Sequence, residues 1–161
     1  MRVVASRRAV LKAGALSTFA ALVGPRRSDA TDYADAKEVF DTVDRLEAEV
    51  DARLGAIAAR LPSGRPLVSS LEADHRRHRT VRARLRGRLH LSPASPAVAP
   101  ATDAALDALR TAQEALVYAH AEGLPALGDA ATVDAMAHNM IDLARHLAVI
   151  DLWMEMESSR A

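Results

Sequence analysis

From Ala36 to Leu61 an apolar side chain returns every third or fourth residue: Ala36, Val39, Val43, Leu46, Val50, Leu54, Ile57 and Leu61. At about 3.6 residues per turn these positions form one unbroken stripe on a helix. No segment of the chain alternates with period two, so no sheet is predicted. The first helix is predicted over Thr31 to Leu61, stopped by Pro62-Ser63-Gly64.

Three more helices follow by the same reasoning. Pro66 to Leu91 carries Leu67, Leu71, Val81, Leu85 and Leu89 on one side. Ser92 to Pro100 holds three prolines and reads as a linker. Thr102 then caps a third helix with Leu106, Leu109 and Leu116 on its stripe, and Gly123 and Pro125 end it. The last helix starts at Asp129 or Thr132 and runs to about Glu157, with Val133, Met136, Met140, Leu143, Ala144, Leu147 and Ile150 inward. Aromatic residues make up 3% of the chain, which suits closely packed helices better than sheets. The expected architecture is all-α, an antiparallel up-down-up-down four-helix bundle over residues 31–161.

Residues 1–30 read differently. Ser6-Arg7-Arg8-Ala9-Val10-Leu11-Lys12 is followed by an apolar run from Ala13 to Gly24 and by Ser28-Asp29-Ala30. The order resembles a twin-arginine translocation signal with small residues at the cleavage position. The apolar run is shorter than the roughly 20 residues that a stable membrane anchor needs. The expectation is export to the periplasm or beyond, with no anchor left after cleavage.

Charge and cysteine usage narrow the partners. Of 21 basic side chains six fall in the first 30 residues, and of 21 acidic ones a single residue does. The rest of the chain therefore has 15 basic and 20 acidic groups, which argues against a nucleic-acid partner. Acidic residues crowd the first helix, and Arg76, Arg77, Arg79, Arg82, Arg84, Arg86 and Arg88 crowd the second. Solvated pairs between the two helices are expected. Without cysteine, thiolate chemistry and disulfides are excluded, and any metal must sit on His, Asp, Glu or Met.

The polar stretch from Glu72 to Thr80 interrupts an apolar stripe that must pass through it. Asp74 and His78 lie on the line from Leu71 to Leu85, with His75 beside it. Polar groups on a core line need partners, and a metal ion is one. Glu72 and His75 form Glu-x-x-His, which points a carboxylate and an imidazole the same way. Gln113 and His120 lie near the third stripe, Glu114 lies to one side, and His138, Asp142 and His146 are each four apart on the fourth helix. Folding the chain about its loops brings His78, Glu114 and Asp142 to one height. His90, at a helix end, reads as solvated.

Leu71-Glu72-Ala73-Asp74-His75-Arg76-Arg77-His78, Leu124-Pro125-Ala126-Leu127-Gly128-Asp129 and Asp142-Leu143-Ala144-Arg145-His146 together resemble segments of exported bacterial ferritin-like domains. The resemblance implies a di-iron site with ferroxidase-like or related oxidoreductase chemistry. Its ligands would be Glu47, Glu72, His75, Glu114 and His146, with His78 close by. Leu143 stands where that family carries a ligating Glu, so the implied site is degenerate. Three outcomes stay open: a di-iron centre, a single-metal site, and a metal-free interaction or structural bundle of the cell envelope. A copper site through Met136, His138, Met140 and His146 is a further alternative. Val149, Leu152, Trp153 and Met156 make the end of helix four a candidate surface for self-association.

Overall fold

The computed structural model describes residues 35–98, 101 and 105–160. The translocation-like segment, Thr31 and Thr102 lie outside the described residues. The described residues form four α-helices and two single 3₁₀ turns, Pro62–Gly64 and Leu124–Leu127, with no strand among them. The helices are α1 (Ala36–Arg60), α2 (Arg65–Arg88), α3 (Leu106–Gly123) and α4 (Ala130–Ser158).

The helix ends have local causes. At the start of α1 the Asp35 carboxylate accepts the Glu38 N–H at 2.9 Å, which satisfies one orphan donor of the first turn. Asp129 does the same for α4, accepting from the Thr132 N–H at 3.0 Å and the Thr132 hydroxyl at 2.5 Å. The second helix ends at Arg88 rather than Leu91. His90 adopts a left-handed conformation with φ 56°, while the N–H of Leu91 bonds the Arg86 carbonyl at 2.9 Å and that of His90 the Gly87 carbonyl at 3.2 Å. This paired closure usually carries glycine at the left-handed position. Helix α3 starts at Leu106, four residues after the expected cap, because Ala105 is still extended.

The four helices form a bundle. Helix α1 packs on α2 and α3, and α4 packs on the same two. Among the described residues the backbones of α1 and α4 make no close approach, nor do those of α2 and α3. Helices consecutive in sequence pack on each other at the first and last connections, while α2 packs on α4 rather than on α3. Phe40, Val43, Leu54, Ile57, Leu109, Leu116, Met136, Leu143 and Ile150 are fully buried and fill the centre. No helix among the described residues is long and apolar enough to cross a membrane.

The end of α4 closes one end of the bundle. Trp153 is 6% exposed, and a Cβ added at Gly64 would collide with its indole ring. Trp153 is therefore a packed residue, not part of an open face. Gly64→Ala should destabilise the bundle by about 1–3 kcal/mol through overpacking. A thermal or denaturant midpoint equal to that of the unmodified chain would contradict this packing.

Candidate metal centre

The inward line of α2 passes through polar residues. Leu71, His75, His78, Arg82 and Leu85 are buried at steps of three or four, and Arg86, four after Arg82, is buried beside Leu85. Two of the arginines expected at the solvated surface are thus in the interior. Arg82 is 1% exposed. Its Nε donates to Asp44 Oδ1 at 2.7 Å and its Nη1 to Glu47 Oε1 at 3.2 Å, while Nη2 donates to the second Glu47 oxygen. Arg86 donates from Nε to Asp44 at 3.0 Å and from Nη2 to Asp41 at 2.6 Å. Burial alone would lower the Arg82 pKa, but the charges of Glu47 and Asp44 and their hydrogen bonds outweigh it and raise the value. A permanent cation therefore occupies the meeting point of the α1 carboxylates.

Beyond Arg82 lies a cluster of imidazoles. The rings of His75 and His146 are 5.3 Å apart between centroids, and His78 is 6.2 Å from each. All three residues are at most 5% exposed. The His75 Nδ1–H donates to Asp51 Oδ1 at 2.6 Å, and the His146 Nε2–H donates to Asp74 Oδ2 at 3.0 Å. These bonds leave His75 Nε2 and His146 Nδ1 buried without a partner, as are both ring nitrogens of His78. Carboxylates that hold one imidazole nitrogen and free the other are the usual orienting partners of metal-binding histidines.

The electrostatics favour neutral donors. Burial, reinforced by His75, His146 and Arg82, lowers the His78 pKa to about 4. Burial also lowers His146, against the opposing hydrogen bond to Asp74. Burial pushes Asp51 and Asp74 up, but their hydrogen bonds from His75 and His146 and the nearby Arg79 and Arg77 leave both below the ordinary carboxylate range. Lone pairs are therefore available on His78 and His146 at neutral pH.

His120 stands apart on α3. Its Nδ1–H donates to the Leu116 carbonyl at 2.9 Å, and its buried Nε2 has no partner. Burial, with Arg82, His78 and His75 nearby, lowers its pKa to about 3 despite that bond.

Of the five ligands implied by the ferritin-like resemblance, His75 and His146 come together, and Glu47, Glu72 and Glu114 do not join them. Glu47 is held by Arg82. Glu114 receives Arg110 at 3.1 Å, and the same arginine binds Asp151 at 2.7 Å, so Glu114 belongs to an α3–α4 ion-pair group. Gln113, not Glu114, faces inward, its Nε2 donating to the Leu143 carbonyl at 3.1 Å. Leu143 is fully buried and fills the space expected of a ligand. Glu72 is half-buried and pairs with none of these residues. Among the described residues no three His, Asp or Glu side chains, as they stand, converge closely enough to hold a metal ion. A bridged di-iron centre does not fit this interior. His138 is exposed and turned back on its own helix at Asp134, which removes it from the copper set as well.

Two partners escaped the sequence reading, Asp51 and Arg82. A third feature was present but unread: Asp74 and His78 on α2, and Asp142 and His146 on α4, share one four-residue spacing. The pairs meet crosswise, Asp74 with His146 and Asp142 with His78. A groove of about 420 Å³ lined by Ala48, Ala83, Gly87, Leu91 and Pro93 includes none of the three rings. Comparison of the chain with family models, with characterised proteins and with solved structures finds no match.

Proposed function

We propose that this chain is an exported four-helix bundle that binds one transition-metal ion through the imidazoles of His75, His78 and His146. The observation that carries the reading is the buried cluster itself: three rings from two helices, with unpartnered nitrogens, braced by Asp51 and Asp74. Rings bound to one ion at metal–nitrogen distances of about 2.0–2.1 Å have centroids roughly 5–6 Å apart. The His75–His146 separation of 5.3 Å falls in that range, while His78 stands outside it at 6.2 Å from each of the other two rings. Imidazoles suit zinc, copper, nickel and iron better than magnesium or calcium.

The helix pairings support a topology for this bundle. Asp41–Arg86, Asp44–Arg82 and Asp51–His75 run in opposite sequence directions along α1 and α2. Arg88–Asp129, His78–Asp142 and Asp74–His146 do so along α2 and α4, and Arg110–Asp151 with Gln113–Leu143 along α3 and α4. The arrangement we infer is up-down-down-up, with antiparallel neighbours and one long diagonal connection. Ferritin-like bundles have one such crossover. Export rests on the Arg7-Arg8 segment and the apolar run after it.

Titration of the metal-depleted chain with Zn²⁺ or Co²⁺ should saturate at one ion per chain. His75→Ala should weaken binding by more than the 10- to 100-fold typical of losing a supporting partner. A chain that stays empty after exposure to Zn²⁺, Co²⁺, Cu²⁺ and Fe²⁺ would end this reading. A second reading, a metal-free interaction bundle, draws on Leu152 and Met156, which remain 56% and 47% exposed at the end of α4.

A further inference from the structure

Among the described residues the large apolar side chains left exposed all lie on one helix: Ile141, Leu152 and Met156 of α4. At about 100° per residue they share one stripe with Arg145, Ala148 and Glu155, within an arc of about 100°. Those three residues are exposed as well. The stripe lies roughly opposite the inward line of Met136, Leu143, Leu147 and Ile150. Helix α4 thus carries an apolar line on both sides, a pattern expected where both sides are covered. Its inner side packs on α2 and α3. We infer that its outer side is the contact surface of a two-fold dimer, in which the α4 helices of two copies of this chain pack antiparallel, centred level with Ile150. The inference is independent of the single-ion reading above.

The charges on the stripe point to a second copy and fix its direction. Arg145 and Glu155 are its charged members, of opposite sign and about 15 Å apart along the helix. A parallel pairing would set each against its own kind, which costs energy. An antiparallel pairing sets Arg145 against the partner's Glu155, and does so twice. Arg145 Nη1 already donates to Asp142 Oδ1 at 2.6 Å, but a guanidinium has five N–H groups and can serve both carboxylates.

Size complementarity shares the same centre. Arg145 and Glu155 are symmetric about Ile150, and so are Ala148 and Leu152. The two-fold that joins the charges therefore lays Leu152, the most exposed of the three large apolar residues, over the partner's Ala148. A large side chain opposite a small one lets two helices approach closely. Such self-matching is what a two-fold contact requires, residue i meeting j while j meets i. From Ile141 to Met156 the stripe runs about 22 Å. One helix face of that length is a small interface, below the roughly 1,200 Å² of stable complexes, so the dimer is a weak one.

Sedimentation equilibrium of the full chain tests this, with EDTA present so that no bridging ion contributes. A monomer–dimer equilibrium should be visible at about 100 μM chain. Leu152→Glu should weaken it by about tenfold or more, since a carboxylate then loses water at the centre of the contact. Arg145→Glu should also weaken it by about tenfold, and Arg145→Glu with Glu155→Arg should restore it to within about threefold. All three positions are exposed, so circular dichroism and the thermal midpoint should stay those of the unmodified chain. A strict monomer at about 1 mM overturns the inference, even if the stripe then binds phosphatidylcholine vesicles. A dimer that Leu152→Glu leaves unchanged puts the contact elsewhere and overturns it too. A charge swap no stronger than Arg145→Glu alone contradicts the antiparallel pairing.

Discussion

Replacing Arg82 with methionine should destabilise the bundle by about 3–5 kcal/mol, the range seen when one member of a buried ion pair is removed. Glu47 is fully buried and Asp44 is 7% exposed. Without the guanidinium, Glu47 is left in a place water does not reach with only the longer contact from Arg79 at 3.5 Å. Domains of this size are stable by about 5–15 kcal/mol, so the loss is a large fraction of the total. The sharper result comes from the pair. Arg82→Met together with Glu47→Met removes both charges and keeps the volume, and Arg86 still serves Asp44. The double variant should be more stable than Arg82→Met alone by about 2 kcal/mol or more. Guanidinium unfolding midpoints measure both. A double variant no more stable than the single one would mean that Glu47 is not compensated by Arg82.

Acid should unfold the metal-free protein early. His78 has a folded pKa of about 4 and His120 of about 3, both below the ordinary 6.5. Below 6.5 the unfolded chain takes up protons that the folded chain refuses. Stability is therefore full above that value and is lost as pH falls through the window from 6.5 to about 4 for His78, and on to about 3 for His120. Each such proton lowers stability by about 1.4 kcal/mol per pH unit, so two give a slope near 3 kcal/mol per unit. Lower down, Asp41, Asp51 and Asp74 act in the same direction, because their folded values lie below 3.8 and their contribution is lost as they protonate. The unfolding midpoint should thus fall steadily from about pH 7 to about pH 5. His120→Phe, which keeps a ring of similar size, should flatten the slope by one proton. A midpoint that does not change over that interval would contradict a neutral, buried pair of imidazoles facing Arg82.

The helical stripes were legible because burial follows spacing: Val39, Val43, Val50, Leu54 and Ile57 are all buried as their periodicity requires. The ends were less so. His90 terminates α2 with a backbone conformation that glycine usually supplies, and no composition rule points to histidine there. The common height of the polar residues was also readable, since His78 and Asp142 do face each other. Arg82 was not, although it sits at the right step between His78 and Leu85. A run of seven arginines reads as surface, and only the α1 carboxylates opposite make two of them interior. The contact of His75 with His146 depends on α2 lying against α4. That packing joins segments far apart in sequence, which local spacing does not encode.

The division of the interior into an arginine-locked carboxylate half and an imidazole half is the claim on which the functional account depends. X-ray absorption at the zinc edge of the zinc-loaded chain, combined with the metal-to-chain ratio, tests it directly. The account predicts one zinc per chain and a first coordination sphere dominated by imidazole nitrogen. Two ions per chain, or a sphere dominated by carboxylate oxygen and altered by Glu47→Gln, would contradict it.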